Sequence, residues 1–320
     1  MNGSGTGRQS FSLPPGQLLL LIGLFFLPAA VPSVLGWLTG FLAIPVFIPL
    51  AMHGATRGLR LVVIGLVVAG AGALLVQQSE MFVFSLTLAP LGVALFCSAR
   101  AGDPAAKSGG KGLAALGIVW LLFWAVYGML TGTNPYDLLL KVLDLGLAQT
   151  LELSKSKDAG LSPEMILGLT EATAAMRETI PRILPGLLSV MVLFTVWLNM
   201  ALINSLCGRL TGAAPWGPYA AWRLPDHLIW LPIGAIGVAL FGQDSLQNVG
   251  SWLVMISGTL YFFQGLAVLI ALFERWRLPP FVRMILYFLV FLQTYGLMLV
   301  AVLGLVDVWC NFRKTKETNA

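Results

Sequence analysis

From Gln17 to Val308 the chain alternates long apolar runs with short polar breaks. The runs cover Gln17 to Ser33, Leu35 to Met52, Leu59 to Val76, Met81 to Cys97, Gly112 to Leu130, Leu184 to Leu206, His227 to Phe241, Val249 to Phe273 and Phe281 to Val308. Their lengths lie near the roughly 20 residues that a helix needs to cross hydrocarbon. Lipid offers no partner to a stray backbone N–H or C=O, and no run shows the period-two alternation of a barrel, so the runs predict helices. The expected fold is all-α, a polytopic transmembrane helix bundle of about eight or nine spans.

The long polar interval, Thr131 to Arg182, predicts an extramembrane hairpin of two amphipathic helices. Asn134-Pro135 pairs an N-cap residue with a proline at the first helical position. Asp137, Lys141, Asp144 and Glu152 then mark one face, with Leu138, Leu139, Val142 and Leu143 opposite. Ser162-Pro163-Glu164 repeats the start signal, Glu164, Glu171 and Glu178 follow on one stripe, and Pro181 is expected to end the second helix. Lys155 to Gly160 is the turn. Two readings fit the hairpin, a connector shielding its apolar face against neighbouring spans and a gate or docking element. The expected organisation is a disordered tail over 1–16, an amino-terminal bundle of about five spans over 17–130, the hairpin over 131–183, a carboxyl-terminal bundle over 184–312 and a tail over 313–320.

Composition supports a bilayer setting: 58% of residues are hydrophobic and 10% are charged, against roughly 25% charged in soluble domains. The net charge of +5 resides in loops between runs, which reads as topology and anionic lipid and not as a nucleic-acid groove. Arg57 with Arg60, Arg100 with Lys107 and Lys111, Arg209 with Arg223, and Arg275 with Arg277 and Arg283 place their loops, and the amino terminus, on the cytoplasmic side. Nine crossings would then strand Arg313, Lys314 and Lys316 outside. Either His227 to Phe241, interrupted by Pro232, dips in without crossing, or Phe281 to Val308 breaks near Tyr295-Gly296 and returns. The first run is read as a retained span and not a cleaved signal, because apolar sequence resumes directly after Pro32.

Chemistry is sparse. No Asp or Glu falls clearly in the middle of a run, which argues against a proton-driven pump. The two histidines, His53 and His227, stand outside any hydrolase or metalloprotease motif, and Cys97, Cys207 and Cys310 are too scattered to suggest a metal; no cofactor and no catalysis are expected. The polarity of the bundle is neutral. Ser257, Tyr261 and Gln264 share one face, Asn199 and Asn204 mark the sixth run, and Gln293, Thr294 and Tyr295 mark the last. These groups serve either interhelical hydrogen bonds or a cavity framed by Asn199, Tyr261, Gln264 and Gln293. Gly36-x-x-x-Gly40 and the small residues Ala69, Gly70, Gly72 and Ala73 predict close helix contacts, while Trp222, Trp230, Trp276 and Trp309 read as interfacial anchors.

Trp222-Arg223-Leu224-Pro225 with Trp230, Tyr261-Phe262-Phe263-Gln264-Gly265, Arg275-Trp276-Arg277-Leu278-Pro279, and Gly304 to Trp309 with Phe312-Arg313 resemble the YybS-like family of bacterial multi-pass membrane proteins. That family is distantly similar to the S components of energy-coupling-factor vitamin transporters and to the cell-shape protein MreD. The first likeness implies a small-molecule pocket and ATPase partners. The first run lacks the Ala-x-x-x-Ala that S components use for docking, the nearest match being Ala51 to Ala55. The resulting expectation is an inner-membrane protein that binds or helps translocate a small neutral or zwitterionic solute. The alternative is a scaffold for an envelope or division complex.

Overall fold

The computed structural model describes residues 15–155 and 160–313. The tails beyond these limits and most of the turn between the hairpin helices lie outside the described residues. Among the described residues every regular element is helical. Among those residues five helices are long and apolar enough to cross a membrane, or up to seven spans are reached if each of two bent pairs forms one. The expected all-α bundle of apolar spans is present, and the runs map onto these helices unevenly: the second and third are joined across a kink at Gly54, and the first and the last are each bent at a break.

The helices group into two units. One runs to Gly102 and takes in Leu202–Pro215. It holds α1 (Pro15–Ala30), the short α2 (Pro32–Leu35) leading into a 3-10 turn over Gly36–Phe41, α3 (Ala43–Leu75), α4 (Ser79–Leu86) and α5 (Ala89–Arg100). The chain bends by 103° between α1 and the segment that starts at Pro32. Within α3, Gly54 (φ 78°, ψ 169°) leaves helical geometry. A Cβ on Gly58 would lie 2.5 Å from the Pro49 carbonyl oxygen, whereas nine residues of straight helix span roughly 13 Å. The chain therefore folds back at Gly54, which is the break expected between the second and third runs.

The predicted small-residue face on α3 is used inside the unit. Ala69 and Ala73 are fully buried, and a Cβ on Gly70 would stand 2.9 Å from the Phe82 ring and one on Gly72 3.0 Å from the Phe26 ring. Gly36 and Gly40 form no such tight contact; a Cβ on Gly36 would lie 3.8 Å from the Met81 side chain, and one on Gly40 would meet nothing within 4 Å. They fall in a 3-10 turn, where residues four apart do not share a face.

The other unit spans Asp103–Ala201 and continues from Trp216. It holds α6 (Ala105–Thr131), α7 (Pro135–Lys155), α8 (Pro163–Thr211) up to Ala201, α9 (Trp230–Phe241), α10 (Ser245–Arg275), α11 (Pro280–Leu292) and α12 (Thr294–Cys310). Both hairpin start signals operate: the Asn134 side chain accepts the Tyr136 N–H at 3.0 Å and the Ser162 hydroxyl accepts the Met165 N–H at 3.3 Å. The expected stop at Pro181 fails, since α8 runs unbroken through Pro181 and Pro185 for 49 residues. Proline interrupts a helix mainly by orphaning the carbonyl four residues earlier. For Pro185 that carbonyl belongs to Pro181, and the Tyr136 hydroxyl donates to it at 2.8 Å. Trp252 Nε1 donates to the next carbonyl, Arg182, at 2.6 Å, and Arg177 pairs with Asp144 at 2.6 Å across the hairpin.

Toward the carboxyl end, α9 has 12 residues, about 18 Å of helix, too short to cross alone. The last run is broken by a 106° bend between α11 and α12, at Gln293, close to the expected Tyr295-Gly296. A short α9 and a bend in the last run, the features on which the two alternatives rest, both occur.

The helices α10 and α12 meet backbone to backbone. A Cβ on Gly265 would fall 1.8 Å from the Val300 carbonyl oxygen, and one on Gly304 2.0 Å from the Tyr261 carbonyl oxygen. Only two glycines let these backbones touch. Gly265→Ala is therefore expected to destabilise the purified protein by about 1–3 kcal/mol, read as a lower Tm in detergent. Gly237→Ala, where nothing lies within 4 Å, is expected to leave Tm unchanged or slightly raised.

Candidate functional site

The second unit holds a cavity of about 310 Å³, at the lower end of the size range of small-molecule sites. Its walls come from four stretches. The start of α6 supplies Ala105, Ala106, Gly109, Gly110 and Leu113, and α8 supplies Leu193, Val196, Trp197 and Met200. From α10 come Leu260, Phe263 and Gln264, and the segment before α9 closes it with Tyr219, Trp222, Arg223, Leu224, Pro225 and Leu228. The small residues on α6 make the room, and the lining is dominated by apolar and aromatic groups.

Two polar networks hold the closing segment in place. In the first, Trp197 Nε1 donates to the Tyr219 hydroxyl at 2.9 Å, and that hydroxyl donates to the Phe263 carbonyl at 2.7 Å. The Trp197 and Phe263 rings stack with centroids 4.5 Å apart. Burial pushes the Tyr219 phenol well above its ordinary range, only partly offset by the Trp197 hydrogen bond and the nearby Arg313 charge, so it remains a donor.

The second network is ionic. Asp307, fully buried in the last turn of α12, accepts from Arg313 Nη2 at 2.6 Å, Arg313 Nε at 3.2 Å, Phe312 N–H at 3.1 Å and Gln264 Nε2 at 3.2 Å. Arg313 Nη1 in turn donates to the carbonyls of Ala220 and Trp222. Gln264 completes the clamp: Nε2 also donates to the Gly304 carbonyl at 3.1 Å, and Oε1 accepts the Leu224 N–H at 3.2 Å. The loop that closes the cavity is thus fastened to α10 and α12 at Ala220, Trp222 and Leu224.

Of the four residues expected to frame a cavity, Gln264 reaches its wall, with its amide committed at both ends. Asn199 is fully buried on α8 and donates to the Thr195 carbonyl at 2.8 Å. Tyr261 is buried on the same face of α10 as Ser257 and Gln264, as expected, but outside the cavity lining. Gln293 is exposed at the break before α12, where its carbonyl accepts the Gly296 N–H. The sequence reading missed Asp307 and Arg313 as a pair, although both stand in the motif Gly304 to Arg313. The interior is accordingly not free of charge. Trp222 also departs from expectation: Trp230, Trp276 and Trp309 are exposed, whereas Trp222 is half-buried and lines the cavity. Asp226 pairs with Arg223 at 3.2 Å.

Residues 19–308 match the family described as predicted membrane protein, DUF2232. The chain belongs to that family. The match takes in every wall of the cavity together with Asp307, and Arg313 lies just beyond it. Neither a curated protein nor a solved structure matches the chain.

Removing Asp307 alone leaves the largely buried Arg313 guanidinium without its counter-charge. Asp307→Ala is expected to destabilise the protein on the order of 3 kcal/mol, and adding Arg313→Met to recover part of that loss. Chemical unfolding of the two single variants and the double variant measures the coupling.

Proposed function

We propose that this protein is a multi-pass protein of the bacterial inner membrane that binds a small solute in the cavity of its second unit and helps move it, without catalysis of its own. The observation that carries the reading is the cavity itself: ligand-sized, walled by apolar side chains and closed by an anchored aromatic loop. A neutral or zwitterionic solute was expected from the amide side chains. With Gln264 committed within the protein, the ligand body is instead apolar. The basic loops are assigned to the cytoplasm by the distribution of Lys and Arg, with the amino terminus inside. A membrane or ATPase partner is part of this reading, as the likeness to S components implies.

The scaffold reading has one observation in its favour. No residue of α7 is buried, and Leu138, Val142, Leu145, Met165, Leu167 and Met176 leave apolar surface exposed on the hairpin.

The cavity reading is tested by filling the space. A Cβ on Gly110 meets nothing within 4 Å and the residue lines the cavity, so Gly110→Trp occupies it with little strain. In a thermal-shift screen, ligands at about 100 times Kd are expected to stabilise the native protein by roughly 2.7 kcal/mol and to lose that effect in Gly110→Trp. Hits that shift both proteins equally bind elsewhere.

A further inference from the structure

The chemistry of the cavity wall specifies more than size. Among the described residues that line it, Arg223 is the one charged side chain, and no carboxylate lines it. Its partner Asp226 is largely exposed, and such a surface pair holds the guanidinium only weakly. The other acid near the start of α6, Asp103, is already paired with Lys107 at 2.7 Å and with Lys111. Ala105 and Ala106, the first residues of α6, open onto the cavity, where the unbonded N–H groups of a helix start add partial positive charge. Finally, Trp222 carries an indole N–H that is buried and has no acceptor in the protein, a donor that requires one from elsewhere. An oxygen-bearing anionic head offers a counter-charge to Arg223 and an acceptor to the adjacent residue's Trp222 N–H, and an unbranched hydrocarbon body suits the walls of Leu113, Leu193, Val196 and Leu260.

Given that the cavity is a solute site, as proposed, we infer that it binds a single-chain anionic amphiphile, its carboxylate or phosphate head at Arg223 and Trp222 and its chain between α6, α8 and α10. The head belongs either to a single-chain lysolipid drawn from the bilayer or to a soluble fatty acid or acyl phosphate, and both share this chemistry.

The test uses the full-length protein in phosphatidylcholine nanodiscs and two photoactivatable probes, a diazirine-bearing undecanoic acid and the matching alcohol, with labelled peptides mapped by mass spectrometry. The acid is expected to label the peptides around Gly110, Trp222 and Leu260 saturably, at a half-saturation at least tenfold below that of the alcohol, and Arg223→Gln to remove the difference. Equal labelling by acid and alcohol, unchanged in Arg223→Gln, overturns the anionic head while leaving the cavity reading standing. Absence of saturable labelling at these peptides by either probe overturns both. Adding lysophosphatidylglycerol, which has one acyl chain, to the nanodisc assigns the source: a fall in acid labelling supports the bilayer lipid, and labelling reduced only by free dodecanoate supports the soluble acid.

Discussion

A charge taken out of water must be answered inside the protein, and Asp307 is answered by Arg313, Gln264 and the backbone of Phe312. Because a buried carboxylate left without partners costs several kcal/mol, this one position constrains everything it touches. It orients Gln264 on α10, turns the end of α12 back on itself and, through Arg313, holds the carbonyls of Ala220 and Trp222. Asn311 makes the return: its left-handed backbone (φ 46°, ψ 58°) ends α12 and brings Arg313 beside a residue one and a half turns earlier. The cavity wall is therefore a consequence of how one charge is neutralised.

The same rule, applied to the backbone, explains the irregular helices. Where Pro185 removes a donor from α8, Tyr136 supplies one to Pro181, so the helix continues and the hairpin is tied to it. Where α10 and α12 meet, Gly265 and Gly304 remove side chains so that carbonyls and backbone atoms approach directly. This close approach places Gln264 within reach of both Gly304 and Asp307.

Much of the fold was legible in residues close together in sequence. Apolar runs marked the helices, Asn134 and Ser162 marked hairpin starts, and the spacing of Ser257, Tyr261 and Gln264 placed them on one buried face. Features that depended on distant partners were not legible. Pro181 read as a stop because its rescuer, Tyr136, is 45 residues away, and Gln264 read as free polarity because its partners lie 40 and 43 residues distant. The pairing of Asp307 with Arg313 was an exception that local sequence did contain: an acid, an Asn suited to a left-handed turn and an Arg, in that order. Asp307 nonetheless reads as the close of an apolar run and Arg313 as the start of a tail.

Neutralising Asp307 fastens the closing loop. Hydrogen–deuterium exchange in nanodiscs measures this at the Leu224 amide, which donates to Gln264 Oε1. Exchange at Leu224 is expected to be at least tenfold slower than at the exposed Gly212 and Ala213, with most of that protection lost in Asp307→Asn. Exchange at Leu224 as fast as at those two residues in the native protein, or protection untouched by Asp307→Asn, would contradict it.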